Sequence, residues 1–300
     1  MESFSAKVKQ ELCRLPTGRQ CCAVAESYGA LLLGNTFSRR ELRIVTTHDC
    51  FVRRLRFLLQ TIFGVMLDLP PPTLNGAKQI ISARQENEIQ AIRGVFGYGK
   101  TDEVALHLNN AILENECCPG SFWRGAFLSG GTVQDPEKAY HLELATPHRF
   151  LARELAALLR EGGFEPGHTE RGGVQILYSK SSENIEDFLT LTGAFQSAVF
   201  VMNTKIEKDL RNLANRRVNC DNANLNKVVI SSFHQRENII KLQNSKKWDT
   251  LSHALRQAAE LRLEYPEDSL SELAKRLSVS KSCLNHRLRK LETIANSIRG

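Results

Sequence analysis

Near the end of the chain Lys281, Ser282, Asn285, His286 and Arg289 recur at three- and four-residue steps, the spacing that lines one face of a helix. Asn and Arg can pair two-fold with base edges, while Lys and Ser suit phosphate oxygens, so this set has the chemistry of DNA recognition. Arg287 and Lys290 flank it and are expected at phosphates. A second candidate is "GVFGYGKT" (94–101), which satisfies G-x-x-x-x-G-K-[ST], the phosphate-cradling loop pattern, with Lys100 and Thr101 as its phosphate and magnesium groups. The third is thiol chemistry. There are eight cysteines, Cys13, Cys21, Cys22, Cys50, Cys117, Cys118, Cys220 and Cys283, and none lies in a C-x-x-C pair. Adjacent pairs such as Cys21–Cys22 are expected to diverge, which reads as reduced, mostly buried thiols and no metal. His48 and His148 have no neighbours at metal-ligand spacing, and no nucleophile elbow occurs. The expectation is a chain without catalytic, cofactor or metal residues.

The elements that would position the C-terminal set are legible in "SLSELAKRLSVSKSCLNHRLRKLETIA" (269–295). Ser269 and Glu272 have capping-box spacing, and Leu270, Leu273, Ala274 and Leu277 make one apolar helix face. "SVS" (278–280) reads as a tight turn, and Ser280 as the cap of a second helix. Val279 and Leu284 are spaced as a hydrophobic staple across that cap. Leu284, Leu288 and Leu291 then bury the second helix against the first and leave the basic face outward. This is helix-turn-helix patterning. Its departure is Ser278, where such turns commonly carry Gly; a left-handed backbone there costs Ser on the order of 1 kcal/mol.

Charge separates this set from an ordinary amphipathic helix pair with a solvated basic face. The chain carries +7 overall, yet residues 1–199 sum to −1 and residues 200–300 to +8. An excess confined to the last third favours a polyanionic partner, most simply double-stranded DNA. Three hundred residues with 42% hydrophobic content can support two ordinary cores. No stretch approaches 18 consecutive apolar residues and the first segment has no apolar run, so the expected setting is cytoplasmic, without membrane contact, and a DNA partner would make it nucleoid-associated.

Upstream, the chain repeats itself. "GALLLGNTF" (29–37) returns as "GAFLSGGTV" (125–133), and "LRIVTTHDCFVRRLRFLLQTIFG" (42–64) as "LELATPHRFLARELAALLREGGF" (142–164). Each copy reads as an apolar helix, a glycine corner, an alternating strand and an amphipathic helix. Strands are expected at "KQIISA" (78–83) and "GVQILYS" (173–179), each followed by a polar helix. "LPPPTLNGAK" and "EGGFEPGHTERGG" read as turns. His48 and His148 fall at equivalent strand-to-helix junctions, which indicates a shared structural role. After Gly193 the strand pattern stops; a long helix is expected, with the Asn-rich "NCDNANLNK" capping the next one. The segment before "GVFGYGKT" reads as a helix, whereas a phosphate loop needs a strand to deliver it.

The two glycine corners resemble the LAGLIDADG motif of homing endonucleases. Aligned on its glycines, "WRGAFLSGG" (123–131) and "SYGALLLGN" (27–35) carry Gly130 and Gly34 where the family holds its metal-binding acids. The resemblance implies a duplicated scaffold whose cleavage chemistry is gone. Through "SFSAKVKQEL", "WRGAFLSGGTVQDPEKAYHLEL", "RRVNCDNANLNK" and "VSKSCLNHRLRKL" nearly the whole chain is similar to the bacterial WhiA proteins. That resemblance implies an α+β architecture: a degenerate LAGLIDADG-like α/β domain over 1–200 (repeats about 20–110 and 115–195), a helical region over 201–247, and an all-α helix-turn-helix domain over 248–300. It also implies a transcriptional regulator linked to sporulation septation, cell division and chromosome segregation, acting on promoter or operator DNA and, as a further partner class, on transcription or division proteins. Two other readings stay open on the residues: a nucleotide-binding protein using Lys100 and Thr101, and an interaction scaffold of the division machinery.

Overall fold

The computed structural model describes residues 2–65, 77–83, 85–99 and 106–298. The chain divides into two units, Met1–Lys208 and Asp209–Gly300.

The first unit opens with α1 (Phe4–Arg14), whose first turn is closed by the Ser3 hydroxyl accepting from the Ala6 amide. The first repeat follows as α2 (Gln20–Leu32), β1 (Thr36–Phe37), β2 (Leu42–Thr46), α3 (Asp49–Phe63), β3 (Gln79–Ala83) and α4 (Glu86–Val95). The second is α5 (Cys118–Gly130), β4 (Gly131–Val133), β5 (Leu142–Thr146), α6 (Arg149–Glu161), β6 (Gly167–Arg171), β7 (Val174–Ser179) and α7 (Ser182–Thr192). The described strands form two antiparallel sheets, ordered β1-β2-β3 and β4-β5-β7-β6. Each repeats one register: Thr46 stands opposite Gln79 in the first sheet, as Thr146 stands opposite Gln175 in the second.

Why the corner occurs twice is visible between α2 and α5. Both are apolar nearly all round, as a helix buried on every side must be. They lie side by side in the same direction and touch backbone to backbone. A Cβ built on Gly29 would stand 2.1 Å from the Phe122 carbonyl oxygen, and one on Gly125 would stand 1.9 Å from that of Glu26. Only glycine permits this approach. Around the pair, Tyr28, Phe51, Phe96, Phe122 and Phe127 are fully buried. One buried ionic group is held there too. Glu26 accepts from Arg54 (Nη2–Oε2 2.8 Å) and faces Arg124 at 3.4 Å, while Arg54 Nη1 donates to the carbonyls of Cys13 and Leu15. A buried carboxylate is tolerated because it is paired in this way.

His48 and His148 do share one structural role. They are the N-caps of α3 and α6, and each donates its amide to the threonine two residues earlier, Thr46 or Thr146. Burial lowers the pKa of both imidazoles, with the Lys9 charge adding to the effect at His48.

Three expectations need correction. "EGGFEPGHTERGG" is more than a turn: β6 occupies Gly167–Arg171 and pairs with β7 through Gly172 and Gly173, both in the left-handed region. An edge strand facing water carries no hydrophobic alternation, so pattern alone reads it as loop. The Asn-rich stretch caps nothing, because α8 runs unbroken from Phe195 to Gln243. Asn weakens a helix by only tenths of a kcal/mol, and the stretch contains neither Gly nor Pro. Thirdly, the adjacent cysteine pairs do not diverge; they converge across α2 and α5. Lys100 and Thr101 lie outside the described residues, and the element before Gly97 is the helix α4 rather than a strand.

The second unit contains the end of α8 with α9 (His253–Glu264), α10 (Leu270–Arg276) and α11 (Lys281–Asn296). Its core joins Ile239 and Leu242 to Leu255, Leu273, Leu284 and Leu288. Among the described residues no helix is long and apolar enough to cross a membrane.

Candidate nucleic-acid interface

Two short helices and a turn carry the C-terminal set. The capping box at Ser269 is complete: its amide donates to Glu272 Oε2 at 2.7 Å, and its hydroxyl accepts from the Glu272 amide at 3.3 Å. α10 ends in a Schellman turn, with the Val279 amide on the Ala274 carbonyl (3.0 Å) and the Ser278 amide on that of Lys275 (3.1 Å). Ser278 has φ of 53°, the left-handed backbone anticipated for it. Ser280 then caps α11 by accepting from the Cys283 amide at 3.1 Å. The entry to α10 is braced by a buried cation. Arg262, 1% exposed, donates to the Asp268 carbonyl at 2.7 Å, and Arg276 pairs with the Asp268 carboxylate at 2.8 Å.

This scaffold fixes the outward face of α11. Leu284, Leu288, Leu291 and Ala295 are buried. Lys281, Ser282, His286, Arg289 and Lys290 are exposed, and Asn285 and Arg287 are half-buried. Five of the seven residues named from sequence are therefore exposed on α11, and Asn285 and Arg287 stand at the margins of its buried face. Neither Asp nor Glu occurs on that helix before Glu292, so its first three turns carry unopposed positive charge.

The C-terminal ends of α2 and α5 lead into the two glycine corners. Gly34 and Gly130 stand at these corners, each with little room for a side chain. A Cβ on Gly130 would fall 2.4 Å from the Ala145 carbonyl oxygen, and one on Gly34 would fall 3.0 Å from both the Leu31 carbonyl and the Ile44 side chain. The terminal carbonyls of α5 are met by Lys9, which is buried and donates to Leu128 at 3.1 Å. Burial lowers its pKa to about 8. Reading the sequence did not single out Lys9, because nothing in "SAKVKQEL" sets it apart from Lys7. Only α1 packing into the core separates them.

Together these features define a LAGLIDADG-like domain followed by a helix-turn-helix domain. Residues 119–211 match the family model of the WhiA LAGLIDADG-like domain, and residues 214–295 that of the WhiA C-terminal HTH domain. The chain is 37% identical to the "Probable cell division protein WhiA" of Ruminiclostridium cellulolyticum, over 99% of this chain and 98% of that one. It is 36% identical to the protein of the same name from Desulforudis audaxviator, over 99% and 97%. The crystal structure of full-length WhiA from Thermatoga maritima shares its fold, with a TM-score of 0.56, 24% identity and complete coverage of both chains. The chain belongs to the WhiA family.

Proposed function

We propose that this chain is a DNA-binding transcriptional regulator of the WhiA type, acting in cell division, in sporulation-associated septation and in chromosome segregation, and that it does not cut DNA. One observation carries the reading: a capped α11 whose buried leucines turn Lys281, Ser282, Asn285, His286 and Arg289 outward with no acid among them. Such a helix suits the major groove, with Asn285 and Arg289 at base edges and Arg287 and Lys290 at phosphates. The relatives are named as cell division proteins, which supports the cellular setting. A cytoplasmic, nucleoid-associated location and promoter or operator DNA as the partner follow from the same reading.

The test is footprinting on sites recovered by genome-wide crosslinking of the tagged chain. Asn285→Ala with Arg289→Ala is expected to weaken specific sites by about 2–5 kcal/mol while leaving nonspecific binding largely intact. Unchanged footprints would reject the assignment. For the first unit, duplex DNA incubated with Mg²⁺ or Mn²⁺ is expected to stay uncut, because carboxylates are missing at positions 34 and 130. Nicking that co-purifies with the protein through further columns would contradict this.

A further inference from the structure

Cys21 and Cys22 lie in the first turn of α2, and Cys117 and Cys118 are the N-cap and first residue of α5. The spacing is 96 in both cases, the same as between Gly29 and Gly125. Because the two helices run side by side in one direction, their first turns meet. The four Sγ atoms all lie within 4.8 Å of one another, and Cys21 and Cys117 are 3.7 Å apart. Zinc bound by four thiolates at about 2.3 Å holds each pair of sulfurs about 3.8 Å apart, from the geometry of a tetrahedron. The sulfurs are thus spaced for a single ion. They stand too far apart for a disulfide, which needs about 2.05 Å, and too close together to enclose several irons with their sulfides.

The surroundings suit such an ion. Cys22 and Cys118 are buried, while Cys21 and Cys117 are half-buried, which gives a closed site with an entry side. Two helix N-termini converge on it, and their positive ends complement the negative charge of a bound four-thiolate cluster. All four ligands come from the described chain, leaving no open coordination position for a substrate, as in structural rather than catalytic zinc sites. We propose that Cys21, Cys22, Cys117 and Cys118 form a structural four-thiolate site for one soft divalent cation, zinc foremost, which clamps the starts of α2 and α5 and so joins the two repeats. The site is independent of the DNA-reading assignment.

The experiment is metal analysis of the full-length chain purified without chelators from zinc-supplemented medium. About one zinc per chain is expected. It should be lost in Cys22→Ser and Cys118→Ser and kept in Cys220→Ser, whose thiol lies in α8. Cobalt added to chain stripped of metal under reducing conditions should give the visible ligand-field and thiolate charge-transfer bands of tetrahedral sulfur coordination. That measurement on the unmutated chain decides the matter even where a serine variant fails to fold. A chain that holds no zinc and develops no such bands overturns the proposal. So does a native Cys21–Cys117 disulfide found by mass spectrometry before any reductant is added.

Discussion

Lys9 shows at the scale of one residue what the first unit demands of its charges. Its ammonium lies over the Phe127 ring, 5.7 Å from the centroid, and donates to the Leu128 carbonyl, and burial holds the folded pKa near 8 against 10.5 for a free lysine. Between those values the unfolded chain binds more protons than the folded one, and stability must therefore rise with pH across that window. Lys9→Met removes the effect. The stability of wild type relative to the variant should grow by on the order of 3 kcal/mol from pH 8 to pH 10.5, measured by urea unfolding of both; curves that stay parallel would contradict it. None of this was legible in the sequence, where Lys9 is one of two lysines in an unremarkable polar run. The helix that carries the seven residues of α11, and its caps, were legible because helix period and capping are local. Lys9 and Glu26 acquire their roles from chain that is more than a hundred residues away, at Leu128, or some thirty to a hundred away, at Arg54 and Arg124.

At the scale of elements, the α2–α5 pair sets the tolerances of the fold. Gly125→Ala forces a methyl group to within 1.9 Å of the Glu26 carbonyl, so the helices must separate; a loss of about 3 kcal/mol or more is expected. Gly94→Ala is the contrast, since that position in α4 has nothing within 4 Å of a new Cβ; a gain of about 0.5–1 kcal/mol is expected. Thermal unfolding of the two variants separates close packing from backbone entropy, and equal shifts would sink the distinction. Repetition made most of these elements readable: helix, corner, strand and helix recur in both copies, and the strands expected at 78–83 and 173–179 form as β3 (79–83) and β7 (174–179). What pattern could not convey was the pairing of exposed β6, the continuity of α8, and the meeting of two cysteine pairs. The last is a property of neither segment alone. Neighbouring cysteines considered by themselves supply no chelate; placed at the same end of two parallel helices, they present four sulfurs to one point.

For the whole molecule, the separation of charge along the chain is the quantity with a measurable consequence. The +8 of residues 200–300 against −1 for the remainder puts the net positive charge in the C-terminal part, which is therefore expected to supply most of the electrostatic contribution. DNA affinity should fall steeply with salt, its logarithmic slope losing about 0.9 for each phosphate contact removed. Lys290→Ala should reduce that slope by about one unit at every DNA sequence tested, whereas Asn285→Ala should leave the slope in place and lower affinity at specific sites. Binding isotherms over a range of potassium concentrations distinguish the two, and identical slopes for wild type and Lys290→Ala would remove the lysine from the contact set. In the first unit the two sheets do not share one polarity: equivalent strand positions carry Arg43 in the first repeat and Glu143 in the second, and Glu143 is already engaged by His141 and Arg171.

Gly130 also limits what the corner can accept. With 2.4 Å between its would-be Cβ and the Ala145 oxygen, an acid cannot be introduced there by one mutation, since β5 would first have to retreat from α5. The bare backbone at this corner therefore constrains substitution in one direction. The neighbours are packed onto the absence of a side chain, so any larger residue placed there is contingent on earlier, individually unfavourable changes around it.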